Sequence, residues 1–216
     1  MPVTPNWLDG DQYLLSQAPM LAPLISKYSP CTLSPEKEDR YFEILVRGLI
    51  SQQLPPAVVD EIFNKLEQLL GTITPSAMST APEAVLAAIG LVPQKISYLK
   101  GLAQQVLDKK ITLTAFATMT DNEISKQLLE VKGLGQWTVE MFLLLALCRT
   151  DVVPSADHVF KKALQNLLQL PDLPKRGQIN KLTATWRPWR SLAVWYLWQA
   201  AAELNTTLNK KSPQQQ

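Results

Sequence analysis

Asp157 is the residue of this 216-residue chain whose type and place most invite chemistry. It lies in Asp151-Val152-Val153-Pro154-Ser155-Ala156-Asp157-His158-Val159-Phe160, between two apolar patterns, where a helix would begin. Two readings stand. A carboxylate there caps the helix by accepting from its free backbone N–H groups. A carboxylate that faces a cavity instead stabilises positive charge developing on a substrate. His158, the chain's single histidine, follows it directly, where a helix residue faces solvent.

Upstream stands Leu128-Leu129-Glu130-Val131-Lys132-Gly133-Leu134-Gly135-Gln136-Trp137-Thr138. One helix ends, two glycines flank an apolar residue, and another helix starts. Glycine lets a backbone turn tightly and lets another molecule approach it closely. The helix that follows presents free N–H groups and the positive end of its dipole. Lys132, Gly133, Leu134, Gly135 and Thr138 thus form a candidate site for one phosphate oxygen. The bland alternative is a tight turn between two helices. Trp137 and Met141 lie one helical turn apart and would share a face.

The elements that position these residues read as helices almost throughout. Ser34-Pro35-Glu36 predicts an N-cap with proline in the first turn, followed by Phe42, Leu45, Val46, Leu49 and Ile50 at helical spacing. Val59 to Leu70 predicts a second helix that stops at Gly71. Thr80-Ala81-Pro82-Glu83 and Thr120-Asp121-Asn122-Glu123 both have capping-box form. Ile96, Leu99, Ala103 and Val106 mark a helix after Pro93. Further helices are expected at about 135–148, 157–168 and 188–203. Ile111-Thr112-Leu113-Thr114 is the nearest candidate for a strand, and it is short. The class is all-α. The polar tail at 209–216 is expected to be disordered.

Composition narrows the functions. The chain is 46% hydrophobic and 19% charged, ordinary values for a globular protein. No run of eighteen apolar residues predicts a membrane span. Met1-Pro2-Val3-Thr4-Pro5 has no signal-peptide pattern, so a cytoplasmic, intracellular protein is expected. Two cysteines, Cys31 and Cys148, and one histidine cannot build a four-cysteine iron–sulfur cluster or a zinc finger. Cys148 reads as a small buried hydrophobe. Residues 131–200 hold nine Lys and Arg against four Asp and Glu. That bias allows a polyanionic partner without establishing one.

A Gly-x-Gly-x-Trp-Thr hairpin, an apolar helix and then Asp-Val-x-Pro-x-x-Asp together resemble the helix-hairpin-helix (HhH-GPD) DNA glycosylase superfamily. Three more segments are similar to it: Leu45-Val46-Arg47-Gly48-Leu49-Ile50-Ser51-Gln52-Gln53-Leu54, Lys95-Ile96-Ser97-Tyr98-Leu99-Lys100-Gly101-Leu102-Ala103, and Trp186 to Trp198. The likeness covers about residues 12–203 and is greatest to the 3-methyladenine DNA glycosylase II branch. It implies one helix-hairpin-helix unit over 1–208, with two helical lobes and an active-site cleft between them. One lobe would span about 41–148, with the hairpin at 127–148. The other would combine about 7–40 with about 149–208. An extra N-terminal β-rich domain, frequent in that branch, has no room here.

The resemblance implies a base-flipping enzyme of base excision repair that acts on double-stranded DNA containing alkylated purines. Asp157 would be its catalytic carboxylate. Leu54, beside Gln53, would be the wedge that fills the vacated stack, and Trp137 would stand on one wall of the base pocket with Met141. Of Trp186, Trp189, Trp195 and Trp198, most are core, and Trp189 is the candidate for the pocket. Arg187 and Arg190 would stabilise structure or touch phosphate. Bifunctional relatives carry a lysine where Trp137 stands, so a monofunctional, monomeric enzyme without lyase activity and without a required cofactor is expected. A monovalent cation held by the carbonyls of Leu129, Val131 and Leu134 is a further implication. His158 and Phe160 depart from the family's small and aliphatic residues, as Pro55-Pro56 departs after the wedge. A non-catalytic DNA-binding module and a glycosylase for neutral, deaminated bases are the alternatives.

Overall fold

The structure, a computed structural model, describes residues 3–211. Among the described residues there are α-helices and short 3-10 and π turns, and no strand. The α-helices are α1 (Trp7–Gln17), α2 (Ala22–Tyr28), α3 (Tyr41–Ser51), α4 (Pro56–Leu70), α5 (Pro75–Thr80), α6 (Glu83–Ala88), α7 (Pro93–Leu107), α8 (Asp121–Leu129), α9 (Gln136–Met141), α10 (His158–Leu167), α11 (Arg176–Leu182) and α12 (Arg190–Lys211). No helix among them is long and apolar enough to cross a membrane. The chain divides into two units, one of residues 35–147 with 1–3, the other of residues 4–34 with 148–216.

In the first unit, α3 buries Leu45, Val46, Leu49 and Ile50, and α4 buries Val59, Ile62, Phe63 and Leu66. The Thr120 box forms as its sequence predicts, with Glu123 N–H donating to Thr120 Oγ1 at 3.3 Å and Thr120 N–H to Glu123 Oε2 at 2.8 Å. The Thr80 box does not form. Pro82 takes the N-cap of α6 and has no side-chain acceptor, while Thr80 Oγ1 bonds back to Ser76 O at 3.0 Å. Ser34 caps no helix either: Glu36 N–H donates to Ala146 O at 2.9 Å, a 3-10 turn follows at Glu38–Arg40, and α3 starts only at Tyr41. The Ile111–Thr114 stretch enters a 3-10 turn at Leu113–Ala115.

The helix expected at 135–148 is α9 followed by a π turn at Phe142–Ala146. Phe142, Leu143, Leu144 and Ala146 of that turn are all buried. Phe142 meets the edges of Tyr41 and Phe116 at 5.5 and 5.9 Å between ring centroids.

In the second unit, α1 escaped the periodicity because its buried face is Trp7, Gly10, Asp11 and Leu14, in which a glycine and a carboxylate take apolar places. Buried Asp11 is satisfied by Ser29 Oγ at 2.7 Å and Tyr196 OH at 2.6 Å. A Cβ on Gly10 would lie 2.6 Å from Leu192 of α12 and 2.7 Å from the Trp189 ring, so the close approach of α1 to them at this position requires glycine. α12 runs beyond the expected end near 203, and residues 209–211 of the expected disordered tail are helical. The rest of that tail, 212–216, lies outside the described residues. Cys31 and Cys148 are both buried and form no disulfide, and burial pushes the Cys31 thiol up to about 12.

Candidate functional site

The hairpin of the first unit is closed by short backbone bonds: Val131 N–H to Leu128 O at 3.1 Å and Leu134 N–H to Val131 O at 3.0 Å. The two glycines do different work. Gly133 sits at φ +99°, and a Cβ there would fall 2.3 Å from the Tyr98 ring, so Tyr98 forms the floor of the turn. Gly135 has φ −97° and caps α9 with open space where a Cβ would stand. The first permits the turn, and the second leaves the N-terminus of α9 open to an incoming group. Lys132 is exposed beside them, whereas Leu134 and Thr138 are buried anchors. Trp137 and Met141 are half-buried one turn apart on the helix that starts there.

At the end of α3, Gln52 Nε2 donates to Gly133 O at 2.8 Å and to Thr138 Oγ1 at 3.3 Å. Gln53 follows, exposed and at φ +61°, an unusual conformation for a residue with a Cβ. Leu54 is half-buried and its N–H reaches back to Ser51 O at 3.3 Å. Pro55 then caps α4 and Pro56 opens it, so the prolines that depart from the family start a helix.

In the second unit, Asp157 is the N-cap of α10, half-buried. Its Oδ1 accepts from Phe160 N–H at 2.7 Å and from Trp198 Nε1 at 3.1 Å. Capping alone contributes about 1 kcal/mol. The indole is a second donor that a mere cap does not require, and it fixes the carboxylate's orientation. The loop before Asp157 is fastened to the start of α12. Ser191 Oγ donates to Arg149 O at 2.5 Å and accepts from Val152 N–H at 2.9 Å, and Ser191 N–H donates to Thr150 O at 2.9 Å. Asp151 binds Arg187 Nη1 at 2.9 Å and the Nε of buried Arg190, whose Nη2 also reaches Asp151 O at 2.7 Å. Both arginines serve this loop. Trp189 is half-buried, with its ring edge-on to Trp7 at 6.1 Å and pressed on Gly10. That packing fixes one side of the ring. His158 is exposed, at the rim of an apolar groove of about 580 Å³ formed with Val159, Leu197 and Leu204.

The model of the HhH-GPD superfamily of base excision DNA repair proteins matches residues 46–188, a span that includes the Gln53–Leu54 turn, the hairpin and Asp157. This chain belongs to that superfamily. Among its HhH-GPD relatives is the alkylbase DNA glycosidase-like protein mag2 of Schizosaccharomyces pombe, 30% identical over 82% of this chain and 85% of its own. The DNA-3-methyladenine glycosylase 1 of the same yeast is 31% identical over 84% of this chain and 80% of its own. The solved 3-methyladenine DNA glycosylase of S. pombe in complex with abasic DNA is 28% identical, with a TM-score of 0.79 over 90% of this chain and 97% of its own. The DNA-3-methyladenine glycosidase of Bacillus halodurans, 24% identical, shares the fold with a TM-score of 0.80 over 91% of each chain.

The sequence reading assigns no site role to Tyr98, Lys95, Ser191 and Trp198, which the structure places against the hairpin, the end of α3 and the Asp157 loop. Lys95 carried a signal: a cation in the first turn of a helix opposes that helix's dipole, so it serves another element. Trp198 was hidden among the tryptophans of its own helix.

Proposed function

We propose that this protein is a DNA glycosylase that removes positively charged alkylated purines, of the 3-methyladenine and 7-methylguanine type, by hydrolysis and without strand cleavage. The observation that carries the reading is a half-buried Asp157 held by two donors, in a chain of the HhH-GPD superfamily. The relatives' names support the substrate class.

Duplex DNA hides a base in its stack, so the target nucleotide must be flipped out. Gly135 and the N-terminus of α9 receive a phosphate oxygen, with Lys132 adding charge. Gln53 and Leu54 enter the stack, as apolar wedges do in kinked DNA. Trp137 offers an aromatic face to the cationic base and Met141 a polarisable contact. The N-glycosidic bond breaks with its electron pair leaving on the base, and positive charge develops on the sugar. Asp157 stabilises that charge and orients the water that adds to C1′ and gives up a proton. Trp137 has no amine with which to form a Schiff base, so the product is an intact strand with an abasic site. The enzyme acts as a monomer inside the cell. Neutral carbonyl donors at Leu129, Val131 and Leu134 suit a monovalent cation, which would add positive charge beside the phosphate. No cluster of three or more His, Cys, Asp or Glu able to hold a metal occurs among the described residues.

The test is release of free base from methylated duplex DNA by the native protein and by Asp157→Asn. Asparagine still caps a helix, so folding is kept while the charge is lost. A fall of about 100-fold or more, with strand breaks appearing only after alkali, is expected. Equal release by both proteins removes Asp157 from the chemistry. Tight binding to damaged duplex with no release by either makes the protein a binding module. Trapping of a borohydride-reduced covalent complex overturns the monofunctional reading.

A further inference from the structure

Lys95 stands in the first turn of α7, half-buried, and its Nζ donates to Leu49 O at 2.7 Å and Gln52 O at 2.9 Å. Both acceptors belong to the last turn of α3 and its C-cap, where carbonyls lack helical partners and the dipole end is negative. Burial lowers the lysine's pKa, so its charge is held there against a desolvation cost. The residue it grips is Gln52. The backbone of Gln52 leads directly into Gln53 at φ +61°, and its side chain holds Gly133 O and Thr138 Oγ1. Tyr98, one turn along α7 from Lys95, forms the floor under Gly133. Two successive turns of α7 thus hold the wedge turn and the hairpin to each other.

We propose that Lys95 is a positioning residue for base flipping, which through Gln52 locks the Gln53–Leu54 turn to the phosphate-binding hairpin so that grip on the backbone and entry of the wedge act as one rigid unit. A rigid link matters because a strained turn that could relax would lose the wedge geometry at the moment the stack resists it. The inference rests on the glycosylase reading above.

The experiment is a double-mutant cycle of Lys95→Met and Leu54→Ala, read by single-turnover base release from a 7-methylguanine duplex. Fluorescence of 2-aminopurine beside a stable abasic analogue reports unstacking without chemistry. Lys95→Met is expected to slow base release and reduce unstacking by about tenfold, while binding undamaged duplex within about twofold of native. In the Leu54→Ala background the further loss falls to about twofold or less, because the lysine acts through the wedge. Lys95→Arg restores part of the effect. Additive losses, or undiminished unstacking in Lys95→Met, overturn the proposal. If Lys95→Met does not fold by circular dichroism, Gln52→Leu carries the same cycle with the same criteria. Native protein that unstacks the abasic duplex yet releases no base refutes the glycosylase reading and leaves the coupling to be judged on fluorescence alone.

Discussion

The hairpin at 129–138 is closed by its own backbone, through bonds between residues three apart and one glycine at positive φ, and is braced from outside at Gly133 and Thr138, by Gln52 and Tyr98. The loop at 148–157 is shaped from outside, by Arg187 and by α12 residues, 36 to 42 positions further on. A local turn keeps its form wherever it is placed and can dock as a rigid probe on a repeating backbone. A loop fastened by distant side chains holds a single carboxylate only while those partners stay in place. The first arrangement suits contact with any sequence, and the second suits one fixed reacting group.

Substitutions can break or sharpen this contrast. The largest cost in stability is expected for Arg190→Met, about 3 kcal/mol by urea unfolding, because Asp151 loses its buried partner. Base release should fall with it, since the loop that ends in Asp157 is freed. Gly133→Ala comes next, at about 2 kcal/mol, from backbone strain and displacement of Tyr98. Its damage should stay with the hairpin, weakening affinity for undamaged duplex. Ser191→Ala removes the hydroxyl that bonds Arg149 and Val152 and should cost about 1–2 kcal/mol, with turnover lowered more than DNA affinity. The smallest change in stability, under about 0.5 kcal/mol, is expected for Gly135→Ala. On the proposed phosphate contact it should nonetheless weaken duplex binding by about 1 kcal/mol, roughly fivefold, by placing a methyl in the open space before α9. If Gly135→Ala instead unfolds the protein while binding per folded molecule is unchanged, the hairpin is only a structural turn.

The same contrast explains what could be read in advance. Gly133 and Gly135 announced the hairpin because the geometry depends on residues that are themselves unusual. The capping box at Thr120 was legible for the same reason. Thr80 had the identical pattern and failed, because proline two positions later takes the N-cap and offers no side-chain acceptor. Asp157 was legible by place and kind, but Trp198, Ser191 and Arg190 acquire their roles only when α12 lies against the loop. In α1, Asp11 broke the apolar stripe, and only Ser29 and Tyr196, distant in sequence, make its burial tolerable. Trp189 stood out in the sequence by its flanking arginines, and its contacts with Gly10 and Trp7 could not be read there.

The two buried cysteines bear on how such an enzyme survives its surroundings. Agents that methylate purines in DNA also attack thiolates, the reactive form of cysteine. Burial pushes the Cys31 thiol up to about 12, so it holds its proton at neutral pH. Cys148 is buried as well. Both thiols are thus shielded from the electrophiles that attack cysteine, one by burial alone and one by burial with a raised pKa.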